Sequence, residues 1–258
     1  MKKKIVIIVA VLALSGVGVA IYFLARPAAA PVVNNTTAEE PADTGPANET
    51  PAFDKSQHSL TDAASLWVVV NKLNPIQPQS YVPDDLVLPN VSQRVPGVEQ
   101  MKLRSEAAAA IEKMFAGAAD DGYNLQITTA FRGYNYQNTL YSGYVSSQGQ
   151  AAADAQSARP GYSEHQTGWA ADIRSADNPS TCYLEACFGD MAEGKWLAEH
   201  AHEYGFLLRY PADKTAVTGY MYEPWHFRYI GLDLAAEMRA QNITTLEEFF
   251  DLPPAPNY

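Results

Sequence analysis

Two short stretches of this 258-residue chain hold residue types that can do chemistry together. In the first, Ser163-Glu164-His165-Gln166-Thr167-Gly168-Trp169-Ala170-Ala171-Asp172, a histidine sits on a glycine-bearing loop, and an aspartate seven residues later ends a short strand. Side chains alternate along a strand, so Asp172 shares a face with Ala170, opposite Trp169, Ala171 and Ile173. A carboxylate there is paired or bound to a cation, because burying it alone costs several kcal/mol. The second stretch, Glu223-Pro224-Trp225-His226-Phe227-Arg228-Tyr229, offers another imidazole and an acid–base group. Two neutral histidines and one carboxylate suit zinc, which at a catalytic site keeps a fourth position open for water. The metal lowers the pKa of that water towards about 7, and a nearby glutamate can take its proton as it attacks a carbonyl. One geometric demand follows. A three-residue step on a flat strand sends Glu223 and His226 to opposite faces, and Pro224 disfavours a helical Glu223, so the segment must bend or bulge.

The pattern Ser-x-His-x-x-Gly-x-Ala-x-Asp, met by Ser163, His165, Gly168, Ala170 and Asp172, precedes Glu-x-Trp-His at 223–226. Together they resemble the D-alanyl-D-alanine carboxypeptidases of the VanY type. The resemblance runs from about Leu66 to Ile230 and takes in Val70-Asn71-Lys72 to Leu86, the Phe131-Arg132-Gly133-Tyr134 turn, and Trp196 to Tyr210. It implies one zinc ion held by His165, Asp172 and His226, with Glu223 as general base. Arg132 corresponds to an arginine that contacts the peptide and steadies the oxyanion, a role suited to a fixed cation beside developing negative charge. Gln137 and Ser163 correspond to positions near the substrate's terminal carboxylate. The implied activity is removal of D-alanine from peptidoglycan stem peptides. The family commonly has Ser-Gly-Tyr-Arg-Ser where this chain has Thr129-Ala130-Phe131-Arg132-Gly133, so the arginine is kept while its neighbours differ. Pentapeptide D,D-cleavage and tetrapeptide L,D-cleavage use the same catalytic residues and differ in pocket shape.

Two other functions compete for these residues. Ser163, His165 and Asp172 hold all three triad types, yet Ser163 lacks the Gly-x-Ser-x-Gly elbow, and a nucleophile two residues from its base is hard to align. A non-catalytic wall-binding module would keep the fold but has no use for Glu223. His200 and His202 lie among Glu199 and Glu203 and read as solvated.

The elements that must position these groups are legible in part. Residues Met101–Asp121 place Leu103, Ala107, Ala110, Ile111, Met114, Phe115 and Ala118 at helical spacing, with Gly122 as a stop. Leu125–Phe131 alternates and is β-branched, which predicts a strand. A second helix is expected over Tyr136–Ser147 and a buried strand over Trp169–Ile173. A third helix is expected over residues 190–204, ended by Gly205. Phe206–Arg209 and Tyr220–Tyr229 read as closing strands, followed by a helix near Leu232–Gln241. Helices and strands mix without regular βαβ repetition, so the expected class is α+β, a small central antiparallel sheet flanked by helices with the zinc site in a cleft at the sheet. The segment from Leu66 carries Pro75, Pro78, Pro83, Pro89 and Pro96, which favours extended wrapping.

Ile5–Ala25 is an uncharged apolar run of 21 residues, enough at about 1.5 Å per residue to cross a hydrocarbon core of roughly 30 Å. Lys2, Lys3 and Lys4 precede it and residues 27–54 contain no Lys or Arg, so the positive-inside bias leaves the rest of the chain outside the cell membrane. The run exceeds the roughly 7–15 residues of a signal-peptide core, which favours a single-pass anchor over a cleaved leader with Ala28 and Ala30 at its cleavage site. Residues 1–26 are thus expected to be cytoplasmic tip and anchor, 27–55 a disordered spacer rich in Ala, Pro, Thr, Asn and Glu, and 56–258 the zinc carboxypeptidase domain. The expected partners are peptidoglycan stem peptides and, through the anchor, the membrane, with the domain monomeric. A net charge of -11 with no basic patch beyond the N-terminus disfavours nucleic acid. Cys182 and Cys187, the only cysteines, are compatible with a disulfide in an exported chain.

Overall fold

The computed structural model of the chain describes residues 52–258. The expected anchor Ile5–Ala25 and the spacer up to residue 51 lie outside that range. Among the described residues no helix is long and apolar enough to cross a membrane. The folded part starts earlier than residue 56. Phe53 stacks on Trp67 at 5.6 Å, and Lys55 pairs with Asp251 at 3.2 Å. One large aromatic in an otherwise small and polar stretch is enough to draw these residues onto the domain.

In chain order the elements are β1 (Leu86–Val87), β2 (Leu103–Arg104), α1 (Ser105–Asp120), β3 (Leu125–Thr129), α2 (Tyr134–Gln148), α3 (Gln150–Gln156) and β4 (Ala170–Ser175). Then follow α4 (Ala192–His200), β5 (Phe206–Leu208), α5 (Thr215–Thr218), β6 (His226–Tyr229), α6 (Leu232–Ala240) and α7 (Leu246–Phe249). The class is α+β, as the mixed patterning predicts. The proline-rich segment forms only the strand β1, and β1 explains why the first helix starts four residues late: Leu103 and Arg104 pair with Val87 and Leu86 instead of joining α1.

One four-stranded antiparallel sheet, in the order β3-β4-β6-β5, positions the candidate residues. Its period of two separates two faces. Leu125 and Ile127, Ala171 and Ile173, Phe227 and Tyr229, and Phe206 point into the main core with Ile111, Met114 and Phe115 of α1 and Leu197 of α4. The residues between them, Asp172, Arg174, His226 and Arg228, take the other face. At the β5 edge Leu207 adjoins a second apolar cluster of Trp67, Val69, Leu234, Leu246 and Phe249, which brings the C-terminal helices alongside.

The expected strand Tyr220–Tyr229 shrinks to its last four residues. Pro224 has no N–H to give a ladder, and residues 223–226 close instead as a turn, with the His226 N–H donating to Glu223 O at 3.1 Å. The expected strand to Phe131 stops at Thr129, where the register with β4 shifts between Ile127 and Thr129. The third helix breaks after His200 into a 3-10 turn, Ala201–Tyr204, ended by Gly205.

Candidate metal centre

Register brings two of the candidates together. Asp172 on β4 and His226 on β6 are direct cross-strand partners on one face. His165 arrives from the 3-10 turn Glu164–Thr167, which Gly168 ends at φ 74°; a Cβ there would press on the Arg104 side chain at 2.8 Å. Asp172 Oδ1 lies 3.3 Å from His165 Nε2 and 3.2 Å from His226 Nδ1. Among the described residues this trio is the only group of three or more potential ligands gathered within 4.8 Å.

The donor atoms fit a tetrahedral ion. Ligand bonds of about 2.0–2.1 Å put neighbouring donors about 3.3 Å apart, which matches both separations. His165 Nε2 and Asp172 Oδ1 are fully buried and have no hydrogen-bond partner, which for native buried polar atoms calls for an explanation such as an ion. Each imidazole is also oriented from behind. His165 Nδ1 meets Ala130 O at 2.6 Å, which fixes the proton on Nδ1 and leaves the Nε2 lone pair facing the trio. His226 Nε2 faces Glu164 Oε2 at 3.6 Å, so Nδ1 is the nitrogen turned towards Asp172.

Electrostatics follow from this crowding. Burial, with Arg132 beside it, holds His165 down at about 4, which keeps it neutral. Burial works against the charged form of His226 too, but the Asp172 and Glu164 carboxylates, at 3.2 and 3.6 Å from its two ring nitrogens, outweigh it and lift the group to about 9. An imidazole wedged between two carboxylates marks a place for a cation, whether a proton or a metal ion. Burial would raise Asp172, yet His165, His226 and Arg132 hold it well below the usual carboxylate range.

The bend demanded of the 223–226 segment is the turn described above. It puts Glu223 Oε2 3.8 Å from His226 Nδ1, on the metal side. Burial pushes Glu223 up to about 8; His226 pulls it back and the Asp172 charge adds to the rise. Arg132 donates to Asp172 Oδ2 at 3.3 Å and to Gln137 Oε1 at 3.1 Å. Gln137 is fully buried, and its amide also donates to Ser157 Oγ and Ala158 O. It braces Arg132 and the 157–158 backbone and presents no atom to the cleft, so its expected reach to a substrate carboxylate is not found in this geometry. Ser163 does line the cleft. His165 Nδ1 is held by Ala130 O, Nε2 faces Asp172 Oδ1 at 3.3 Å, and among the described residues no hydrogen bond joins His165 to the Ser163 hydroxyl, which speaks against the triad reading. His200 lies outside the trio, pairing with Glu203 at 2.9 Å and stacking on Trp196; His202 is likewise no part of it.

These groups sit at the floor of a cleft of about 280 Å³. Tyr136, Leu140 and Tyr144, one stripe of α2, form one wall. Tyr183 and Leu184, held in a small loop by the Cys182–Cys187 disulfide, form part of another. Tyr210, 4.8 Å from the His226 ring, and Tyr220 close a third side.

Glu164 escapes sequence reasoning because it fills a variable position of the motif. In the fold it is wholly buried. Its Oε1 accepts from Arg209 Nε at 2.8 Å and Arg228 Nη1 at 3.2 Å, while Arg209 makes a two-pronged pair with Glu247 of α7 at 2.9 and 2.7 Å. Burial would raise Glu164, but Arg209 and Arg228 hold it well below the usual range. The only sequence signal is a run of polar residues entering a buried turn; the partners are remote in the chain.

The family model for VanY, D-alanyl-D-alanine carboxypeptidase, matches residues 100–232. The putative carboxypeptidase YodJ of Bacillus subtilis (strain 168) is 39% identical over 194 residues, 75% of this chain and 70% of that protein. A solved structure of the LdcB LD-carboxypeptidase superposes with a TM-score of 0.69 at 39% identity, covering 73% of this chain and 87% of that one. A vancomycin resistance D,D-pentapeptidase VanY in complex with Zn(II) gives 0.58 at 31% identity, covering 73% and 99%.

Proposed function

The chain belongs to the VanY family of D-alanyl-D-alanine carboxypeptidases, and from that premise we propose that it is a zinc-dependent carboxypeptidase that removes the C-terminal D-alanine from peptidoglycan stem peptides. The observation that carries the reading is the trio of His165, Asp172 and His226, with donor atoms spaced for a tetrahedral ion and a glutamate beside them. The Zn(II) complex of a family member supports zinc as that ion. When bound, zinc supplies Lewis acidity, polarising the scissile carbonyl and acidifying a water.

The chain's own groups do the rest. Glu223, buried beside the trio with its Oε2 3.8 Å from His226 Nδ1, takes a proton from the attacking water and returns it to the leaving amine. Arg132, fixed by Gln137 and Asp172, keeps a cation beside the charge that develops on the carbonyl oxygen. Ser163 offers its hydroxyl to the departing residue's carboxylate from the cleft wall. The tyrosines of the cleft exclude water around the reacting bond.

Replacing Glu223 with Gln is the test of the base. Turnover falls by at least about 100-fold while zinc remains bound, since Glu223 is no ligand; hydrolysis at the native rate refutes the assignment. A second reading, L,D-cleavage of tetrapeptide stems, is favoured by the likeness to the LdcB LD-carboxypeptidase. Incubation with pentapeptide and tetrapeptide muropeptides, with released D-alanine identified by mass spectrometry, separates the two. The reading places catalysis outside the cell membrane, on the strength of the apolar run Ile5–Ala25 behind Lys2–Lys4.

A further inference from the structure

Arg132 can steady an oxyanion only if its long side chain is held, because a catalytic group displaced by about 1 Å loses much of its effect. Asp172 Oδ2 accepts from Nη1 at 3.3 Å, and Gln137 Oε1 accepts from Nε at 3.1 Å. What holds Gln137 lies outside the motifs. Its Nε2 donates to Ala158 O at 2.7 Å, and the same peptide group, through the Arg159 N–H, donates to the Tyr258 hydroxyl at 2.8 Å. The Tyr258 hydroxyl in turn stands 3.1 Å from that of Tyr220, which closes the third side of the cleft.

Chemistry fixes the direction of this chain. A guanidinium has no acceptor and a carbonyl no donor, so the Gln137 amide has one orientation, oxygen towards Arg132 and nitrogen towards Ala158. A backbone N–H only donates, so Tyr258 accepts from Arg159 and has its own proton to give to Tyr220. From Arg132 Nε outwards, every donor points away from the guanidinium charge, through Gln137, the 158–159 peptide and Tyr258 to Tyr220. Hydrogen bonds aligned head to tail polarise one another, so loss of a far member weakens the near ones.

The Tyr258 ring is seated by contacts that do not involve its hydroxyl. The Ala255 N–H donates to Val217 O at 2.8 Å, and the buried Lys72 ammonium donates to Pro256 O at 3.4 Å and to Gly219 O. The Lys72 charge also lies over both phenol rings, 4.7 Å from the centroid of Tyr220 and 5.4 Å from that of Tyr258. Arg159 covers the Tyr258 ring at 4.1 Å, and Tyr162 meets it edge-on at 5.1 Å. The hydroxyl can therefore be removed while the ring stays in place. We propose that the Tyr258 hydroxyl is a positioning group for Arg132, acting through the 158–159 peptide and Gln137. The proposal deepens the peptidase reading above and rests on it for what Arg132 does.

The test uses the full, zinc-loaded chain and Tyr258→Phe. Arg132 acts on charge present only in the transition state, so kcat is expected to fall roughly fivefold, as loss of one hydrogen bond warrants, while KM stays within about twofold. A role confined to stability would lower Tm and leave kcat per folded molecule native. A second readout needs no turnover. The Arg132 Nε–H proton resonance, identified by its loss in Arg132→Lys, is expected to move upfield in Tyr258→Phe as its bond to Gln137 weakens. The aromatic ring is kept, so the shift reports the hydrogen bond. A native kcat, a loss carried by KM, or an unmoved Arg132 resonance overturns the proposal. If the native chain cleaves no stem peptide, the carboxypeptidase reading fails, and the resonance alone then upholds or overturns the link from Tyr258 to Arg132.

Discussion

The buried carboxylate behind His226 gives the sharpest quantitative expectation. In Glu164→Gln the side chain keeps its shape and loses its charge. Arg209 retains its two-pronged pair with Glu247, but Arg228 is left with only the carbonyls of Leu66 and Tyr229. Removing one partner from a fully buried ion pair costs about 3–5 kcal/mol. The amide oxygen can still accept one hydrogen bond, so the lower figure, about 3 kcal/mol, applies. For a domain of roughly 200 residues that is a fall in Tm of about 6–12 °C. Loss of the carboxylate facing His226 Nε2 also frees the imidazole to turn, which lowers zinc affinity by about 10–100-fold. Thermal unfolding in excess chelator isolates the ion-pair effect from the metal, and competition against a zinc indicator reads the second effect. Unchanged stability in chelator would refute the reasoning about the buried pairs. A large stability loss with unchanged zinc affinity would show that Glu164 does not orient His226.

Stability should also depend on acid in a definite direction. Burial alone would raise Glu164 and Glu247, but the arginines hold both below the ordinary glutamate value, so the folded chain binds fewer protons than the unfolded one. Their contribution is complete above the unfolded value of about 4.3 and is lost as pH falls through the lower folded values; a urea midpoint that stays flat from pH 7 down to about 3.5 would exclude it. Stripping zinc with a chelator should lower Tm and abolish turnover, and adding zinc back should restore both. Ligand-free and zinc-loaded melts that coincide would argue against an ion at His165, Asp172 and His226. Replacing Cys182 and Cys187 with Ser releases the loop in which Cys182 and Leu184 hold φ values of 52° and 50°. KM should rise because Tyr183 and Leu184 line the cleft, while zinc affinity stays native; a changed zinc affinity would contradict a role confined to that wall.

The sequence by itself determined the chemical types and much of the secondary structure. His165, Asp172, Glu223 and His226 stand out because glycine, proline and tryptophan at fixed spacings surround them, and such local punctuation survives in one dimension. The periodicity of Met101–Asp121 and the alternation of Leu125–Phe131 are local too, and each became the type of element its pattern predicted, the helix from Ser105 and the strand as far as Thr129. Only the tertiary structure decided how those groups meet. The pairing of Asp172 with His226 depends on the register between β4 and β6, and the turn at Glu223–His226 could be demanded from sequence but not drawn. The late start of α1 depends on β1, an element the prolines obscure. Glu164, Arg209, Arg228 and Glu247 look like ordinary surface charges until two strands and α7 enclose them. Charges become informative when their partners, or the lack of them, are known, and here those partners lie tens of residues away in the chain.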